Sequence, residues 1–218
     1  MNAQHINGPQ SGSSRVSLEL LRSQPPKERS DAARNRTKIL TVAAELFARD
    51  GVDGVSMDAI AVAAEVGKGT LFRRFGDKAG LAVALLDAKE SELQQQILST
   101  KPPLGRSATA TPEIRLRAFY SAYLDYVFDH LSLVRMSETA SVGARYRIGA
   151  YRFWHRHTAI LIQEIAPNVD AEALAHTLLA ALAAEHLTAM VDEVGEERTR
   201  SAIHVALDAH ITALRNNT

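Results

Sequence analysis

The residues best suited to chemistry in this chain are cations. Between Val66 and Lys78 stand Lys68, Arg73, Arg74 and Lys78, against Asp77 alone. Cations crowded on a short segment suit phosphate, and an arginine can also donate a paired set of hydrogen bonds to guanine O6 and N7. Adjacent arginines are equally ordinary on a solvated helix face, so the pattern needs a framework to carry meaning. A second basic run holds Arg22, Lys27, Arg29, Arg34, Arg36 and Lys38 against Glu28 and Asp31. An arm bearing Arg29, Arg34 and Arg36 could follow a minor groove, or serve only as a soluble leader. From Lys101 onward twelve basic residues meet thirteen acidic ones, so the formal net charge of zero conceals a basic N-terminal part.

Enzymatic patterns are missing. There is no glycine-rich phosphate loop, nucleophile elbow or pair of carboxylates at working distance, and the chain is not expected to be an enzyme. With no cysteine among 218 residues, disulfides and thiolate metal sites are excluded. His155 and His157, two apart on a helix, diverge and do not share a metal easily. Neither a metal nor a cofactor is expected. An apolar content of 46% supplies an ordinary soluble core. No apolar run approaches the ~20 residues that span a bilayer, and Met1 to Ser14 lacks the apolar centre of a secretory signal. A cytoplasmic location with no membrane partner is expected.

The elements that must position the cations are helices. Residues 1–30, with Gly8-Pro9, Ser11-Gly12-Ser13-Ser14 and Pro25-Pro26, are expected to form a flexible tail. Ile39, Leu40, Ala43, Ala44, Leu46 and Phe47 recur at three and four residues, and Gly51 suits a helix stop. Ser56 is a good N-cap for a second helix with Met57, Ile60, Ala61 and Ala64 inward. Gly67 is expected to break it. A third segment then sets Leu71 and Phe75 four apart, and Asp77 can cap a fourth. Three short helices at this spacing form a helix-turn-helix, in which a small core fixes a recognition helix whose first turn enters the major groove. Leu71, Val66 and Phe75 would pack on Ile60, Ala61 and Phe47. Lys68, Gly69, Thr70, Arg73 and Arg74 would face outward, Gly69 allowing close approach because it has no side chain.

The stretch from Arg36 to Phe47, the run Gly51-Val-Asp-Gly-Val-Ser-Met-Asp-Ala-Ile-Ala61, and Ala64-Glu-Val-Gly-Lys-Gly-Thr-Leu-Phe-Arg-Arg-Phe-Gly-Asp-Lys78 resemble the DNA-binding domain of the TetR family. The resemblance covers about residues 34–87. It implies that Ser56 bonds a phosphate, with Met57 and Asp58 near the DNA. It implies also that Lys68, Gly69 and Thr70 reach base edges or phosphates, that Phe72, Arg73 and Arg74 line the groove, and that Lys78 holds a phosphate. Three positions depart from the family's common pattern. Phe72 stands where tyrosine is frequent, Gly67 replaces a serine or threonine, and Arg74 replaces a histidine. Base choice is expected to lean on the two arginines.

Beyond Pro102-Pro103 the pattern predicts helices over Pro112 to Asp129, His130 to Thr139, Gly143 to Ile165, Asp170 to Val194 and Glu196 to Leu214. No strand pattern appears, so the fold class is all-α. The expected division is residues 1–30 as tail, 31–87 as helix-turn-helix domain and 88–218 as a helical bundle, which the resemblance makes a ligand-binding and dimerisation domain. Aromatic residues concentrate in that bundle. Tyr120 and Tyr123 share a face, as do Trp154 and Thr158, and these four with His186 are the candidate ligand residues beside a plain core-packing alternative. Leu174, Leu178, Ala181, Leu182 and Ala189, with Ile203, Ala206, Leu207, His210, Ile211 and Leu214, are candidates for a homodimer face. The expected function is a repressor bound to double-stranded operator DNA and released by an unidentified small hydrophobic effector. A dimeric DNA-binding protein without an effector is the alternative.

Overall fold

A computed structural model describes residues 30–217, and it is built of α-helices throughout that range. The tail expected over residues 1–30, including Arg29 of the basic arm, lies outside the described residues apart from Ser30. We number the helices α1 (Ser30–Asp50), α2 (Met57–Ala63), α3 (Lys68–Phe75), α4 (Lys78–Leu98), α5 (Pro112–Asp129), α6 (Leu131–Thr139), α7 (Ala144–Arg147), α8 (Gly149–Ile165), α9 (Ala171–Ala180), α10 (Ala184–Val194) and α11 (Glu196–Arg215).

The helix starts follow local side-chain chemistry. Ser56 Oγ accepts from Ala59 N at 3.1 Å, Asp77 Oδ1 from Gly80 N at 2.8 Å, and Asp170 Oδ1 from Ala173 N at 3.0 Å. Each satisfies a donor that the first helical turn leaves open. Thr111 and Pro112 open α5 in the same spirit, with proline in the first turn where no N–H is needed. One expected turn differs. Gly67 is an extended N-cap, and the backbone reversal between α2 and α3 falls on Glu65, at φ +52°. Its left-handed turn is closed by Val66 N on Ala61 O, and Lys38 Nζ sits 2.5 Å from the Glu65 carboxylate.

Two apolar cores result. The smaller is made by Ile39, Ala43, Phe47, Ile60, Ala61, Leu71 and Leu81, from α1 to α4. The larger lies among α4 to α11, around Leu116, Phe119, Leu124, Phe153, Leu161 and Ile162. Helix α4 belongs to both, giving Leu81 to the first and Leu86, Leu93 and Ile97 to the second. The division expected between residues 87 and 88 therefore falls inside a continuous helix. Leu133 of α6 packs against both cores as well.

Two long helices expected from periodicity are interrupted. Ile148 is extended (φ −67°, ψ 132°) and separates α7 from α8. Residues Ala181 to Ala183 separate α9 from α10, with Ala183 extended at φ −67°, ψ 132°. Nothing in that alanine-rich stretch breaks a helix by itself. The break is held from outside: Arg145 Nη2 donates to Leu179 O at 2.9 Å, and Glu138 Oε2 accepts from Ala184 N at 2.8 Å. Arg145 and Glu138, both nearly inaccessible, are joined to each other by a salt bridge.

Candidate nucleic-acid interface and the interior behind it

Helix α3 is pinned by Leu71, fully buried, and by half-buried Val66 and Phe75. Its opposite face carries Lys68, Gly69, Phe72 and Arg73, all exposed, with Thr70 half-buried. Phe72 is 44% exposed, large for an aromatic ring with no apolar neighbour required of it. A Cβ added at Gly69 would meet nothing within 4 Å, so the fold itself does not demand glycine there. The helix ends at Gly76, whose φ of +77° is a left-handed conformation that favours glycine.

The cations divide into two sets. Arg73 is exposed and pairs with nothing among the described residues. Lys68 reaches Asp58 at 2.5 Å, with both side chains more than half exposed. Such a surface pair is worth at most about 1 kcal/mol and yields readily to a phosphate. Arg74 turns back to donate to Ala32 O at 2.8 Å, tying α3 to the start of α1. Lys78 donates to Val52 O and Val55 O, each at 2.9 Å, and lies 3.4 Å from Asp53 O. It holds the turn before α2 against the start of α4. Met57 is buried in the small core, whereas Ser56 and Asp58 are exposed. The structure thus groups Ser56, Asp58, Lys68, Gly69, Phe72 and Arg73 on the outside, and gives Met57, Arg74 and Lys78 work within the fold.

Behind this surface, the ligand candidates separate. Tyr120, Tyr123, Trp154 and Thr158 are all buried in the larger core. Phe119 joins them: its ring centroid is 6.0 Å from Tyr120, 5.7 Å from Tyr123 and 5.8 Å from Trp154. His186 is exposed on α10. Tyr120 Oη, Thr158 Oγ1 and both ring nitrogens of His157 are buried without a hydrogen-bond partner. Burial, with Arg115 adding repulsion, drives the His157 imidazole down to about 3 and keeps it neutral. Burial also raises the Tyr120 and Tyr123 hydroxyls above their ordinary value.

The periodicity reading passed over an ionisable cluster on the other side of Tyr123. Glu90, 7% exposed on α4, accepts from Tyr126 Oη at 2.8 Å. Burial pushes its carboxyl up to about 7; the Tyr126 hydrogen bond opposes this, and the charges of Asp87 and Glu138 add to it. A small enclosure of about 10 Å3 lies between Glu90, Tyr123, Tyr126, Glu138, Arg145 and Trp154. The signal was in the sequence: Leu86, Glu90, Leu93 and Ile97 recur at helical spacing, which places Glu90 on an apolar face of its helix. Where the two cores meet, Phe47, Val52, Leu85, Leu86 and Leu133 line an open, mainly apolar groove of about 480 Å3.

The candidate dimer face is reapportioned. Leu178, Leu182, Ile203, Leu207, Ile211 and Leu214 are buried within the subunit. The exposed side of α11 carries Ala202, Val205, Ala206, Ala209 and Ala213, and Ala189 and His186 are exposed on α10. No single helix among the described residues is long and apolar enough to cross a membrane.

Residues 39–85 match the family described as bacterial regulatory proteins, tetR family. A DNA-binding transcriptional repressor TetR from Mycobacteroides abscessus is 38% identical over 71 residues, 31% of this chain and 37% of that protein. An HTH-type transcriptional regulator from Staphylococcus aureus is 45% identical over 53 residues, 24% of this chain and 29% of that protein. The chain thus spans about a third of the length of these curated relatives. A solved TetR-family transcriptional regulator from Pectobacterium atrosepticum superposes with a TM-score of 0.61 over 86% of this chain and 97% of that one. At 20% identity that likeness establishes the all-helical fold, including the bundle beyond residue 98. The sequence likeness to the tetR family of bacterial regulatory proteins thus lies in residues 39–85, within α1 to α4, and the solved structure extends the likeness in fold to the bundle behind them.

Proposed function

We propose that the protein is a transcriptional regulator, most simply a repressor, that binds double-stranded operator DNA as a homodimer and is released by a small hydrophobic effector. The observation that carries the DNA reading is the outer face of α3, where Lys68, Gly69, Phe72 and Arg73 stand exposed on a helix anchored by buried Leu71. Phosphate contacts from Ser56 and Lys68 would set register, and Arg73 is the side chain free to read a guanine edge. Selection of bound sequences from a random pool should return a palindrome with half-sites about one helical turn apart. Arg73→Ala should relax preference at one position of each half-site, at a cost of about 1–3 kcal/mol. Uniform weakening across all sequences would make Arg73 a phosphate contact instead.

Two recognition helices require two subunits, and the exposed alanine-rich side of α11 with α10 suits a close helix-to-helix approach. Ala206→Arg should yield a monomer by sedimentation and lose operator binding. A dimer that persists would move the interface elsewhere.

Effector control is supported by the partnerless buried polar atoms of Tyr120, His157 and Thr158, which a bound molecule would satisfy. A route to the DNA also exists. Helix α6 places Leu133 and Met136 against the small core, has Arg135 3.5 Å from Asp53, and carries Glu138 in its last turn at the interior enclosure. A ligand that displaced α6 or α4 would move the recognition helix, provided it bound the displaced state more tightly. The tightness of the interior, about 10 Å3 free beside Glu90, favours the second reading, a dimeric DNA-binding protein without an effector. A thermal-shift screen across a broad set of lipophilic compounds separates the two, since silence would favour the second.

A further inference from the structure

An apolar surface lies open where the two cores meet. Phe47, Val52 and Leu86 are buried at the floor of the groove of about 480 Å3, and Leu133 of α6 is half-buried in its wall. Ala44 and Ala48 of α1 are exposed along its side, where small side chains leave depth for larger ones. An exposed apolar concavity of this kind marks a place where something binds. Its lining includes a cation, Lys89 of α4, and an anion, Asp129 at the end of α5. Lys89 pairs with Glu92 at 3.1 Å, but both side chains are more than half exposed, so the pair exchanges easily.

We propose that the chain's own residues 16–22 occupy this groove and strap the helix-turn-helix domain to the bundle. Val16, Leu18, Leu20 and Leu21 fall together there, between residues 10–15 and 23–29, which include no Leu, Ile, Val, Met or aromatic residue. The reach suffices. Ala44 lies about 21 Å along α1 from Ser30, and the ten residues from Leu20 to Ser30 can span ~33 Å when extended. The charges match as well, with Glu19 for Lys89 and Arg22 for Asp129. Tethering supplies a local concentration of roughly millimolar order, an advantage that a free partner lacks. The groove takes its walls from α1, α4 and α6 and from both cores, so its occupant resists movement of one domain against the other. This inference does not depend on the effector reading above.

The chain has no cysteine, so introduced thiols report contact without background. The full chain carrying Leu20→Cys with Ala48→Cys is compared with the full chain carrying Leu20→Cys with Arg49→Cys. The tether reaches Ala48 and Arg49 alike, but successive helical residues point about 100° apart, and of the two only Ala48 lines the groove. Under mild oxidation the Ala48 pair should close within one chain at least about tenfold faster than the Arg49 pair. Adding Leu18→Asp and Leu21→Asp should bring it down to the rate of the Arg49 pair. Equal rates in the two pairs overturn the proposal. Cross-links that join two chains, read on denaturing gels across a dilution series, would put a second copy's segment in the groove and overturn the assignment to the chain's own.

A second measurement leaves the groove itself untouched. Nile red, a neutral lipophilic dye, is added to the full chain and to its variant with Leu18→Asp, Leu20→Asp and Leu21→Asp. The variant should bind the dye severalfold more strongly, because its groove is left uncovered. A synthetic peptide of residues 14–24 should reverse that gain, and the same peptide carrying the three aspartates should not. Equal dye binding by the two chains would mean that the groove stands open to a small lipophile in both, and it overturns the proposal. A gain that the peptide leaves unchanged places the dye elsewhere and overturns it too.

Discussion

The two cores handle polarity in opposite ways. In the helix-turn-helix domain the core is apolar, and its polar groups are either outside or locally paired: Lys78 on three carbonyls, Arg74 on Ala32 O, Ser56 on Ala59 N. In the larger domain, ionisable groups sit inside. Glu90, Glu138, Arg145 and His157 are all buried among aromatic rings, and several buried polar atoms lack partners. A recognition surface needs only a rigid, cheaply desolvated platform. A responsive interior needs groups whose cost falls when something binds. The contrast identifies where stability is kept in reserve.

Removing one member of the buried pair should break the contrast most severely. Arg145→Met leaves Glu138 buried without a counter-ion and frees Leu179 O, costing about 3–5 kcal/mol. Chemical denaturation should show this, and the double variant Arg145→Met with Glu138→Met should recover much of the loss. If the single variant is neutral, the pair does not hold the break between α9 and α10.

Glu90→Gln is next, and it should stabilise. The folded carboxyl titrates near 7 instead of the usual 4.5, so the folded protein holds a proton that the unfolded chain has released. Wild-type stability is therefore favoured below pH 4.5 and declines as pH rises through 7. The variant's advantage should grow over that window to about 3 kcal/mol at pH 8 and vanish near pH 4.5. An advantage that is flat with pH would point to packing.

His157 acts in the other direction. Its folded value, about 3 against the usual 6.5, lets the unfolded chain take a proton first, so stability is present above 6.5 and lost on acidification. His157→Phe should flatten the acid limb of stability by about 1 kcal/mol per pH unit below 6.5. An unchanged acid limb would mean that the imidazole finds a partner.

The smallest effect sharpens the DNA-facing side. Gly69 lies within α3 with open space around it, so Gly69→Ala should raise stability by about 0.5–1 kcal/mol. If close approach to DNA is why glycine stands there, operator affinity should fall at the same time. Stability and affinity rising together would remove that role.

Local structure was largely legible. Helix α5 was expected from Pro112 to Asp129 and runs over those residues, because Thr111 and Pro112 mark its start. The helix-turn-helix followed from Ser56, Gly51 and Asp77 with the apolar spacing between them, each signal acting within a few residues. What was not legible involved contacts distant in sequence. Arg74 is expected to line the groove and Lys78 to hold a phosphate, but spacing places a cation without showing which carbonyl it meets within the fold, 42 residues away for Ala32 and 26 for Val52. On α11 periodicity marked the apolar side but not its destination, and that side fills the subunit's own interior.

By itself the sequence determined the helices with marked ends, the helix-turn-helix and its cationic face, since capping and 3.6-residue spacing are local properties. Tertiary structure decided which cations meet carbonyls of the fold, where α9 gives way to α10, and that Glu90 lies buried without a counter-ion. Those outcomes depend on desolvation and on partners from other helices. Glu138 and Arg145 show the reason plainly: a carboxylate 46 residues from Ala184 and a guanidinium 34 residues from Leu179 end one helix and begin another in a stretch of good helix formers.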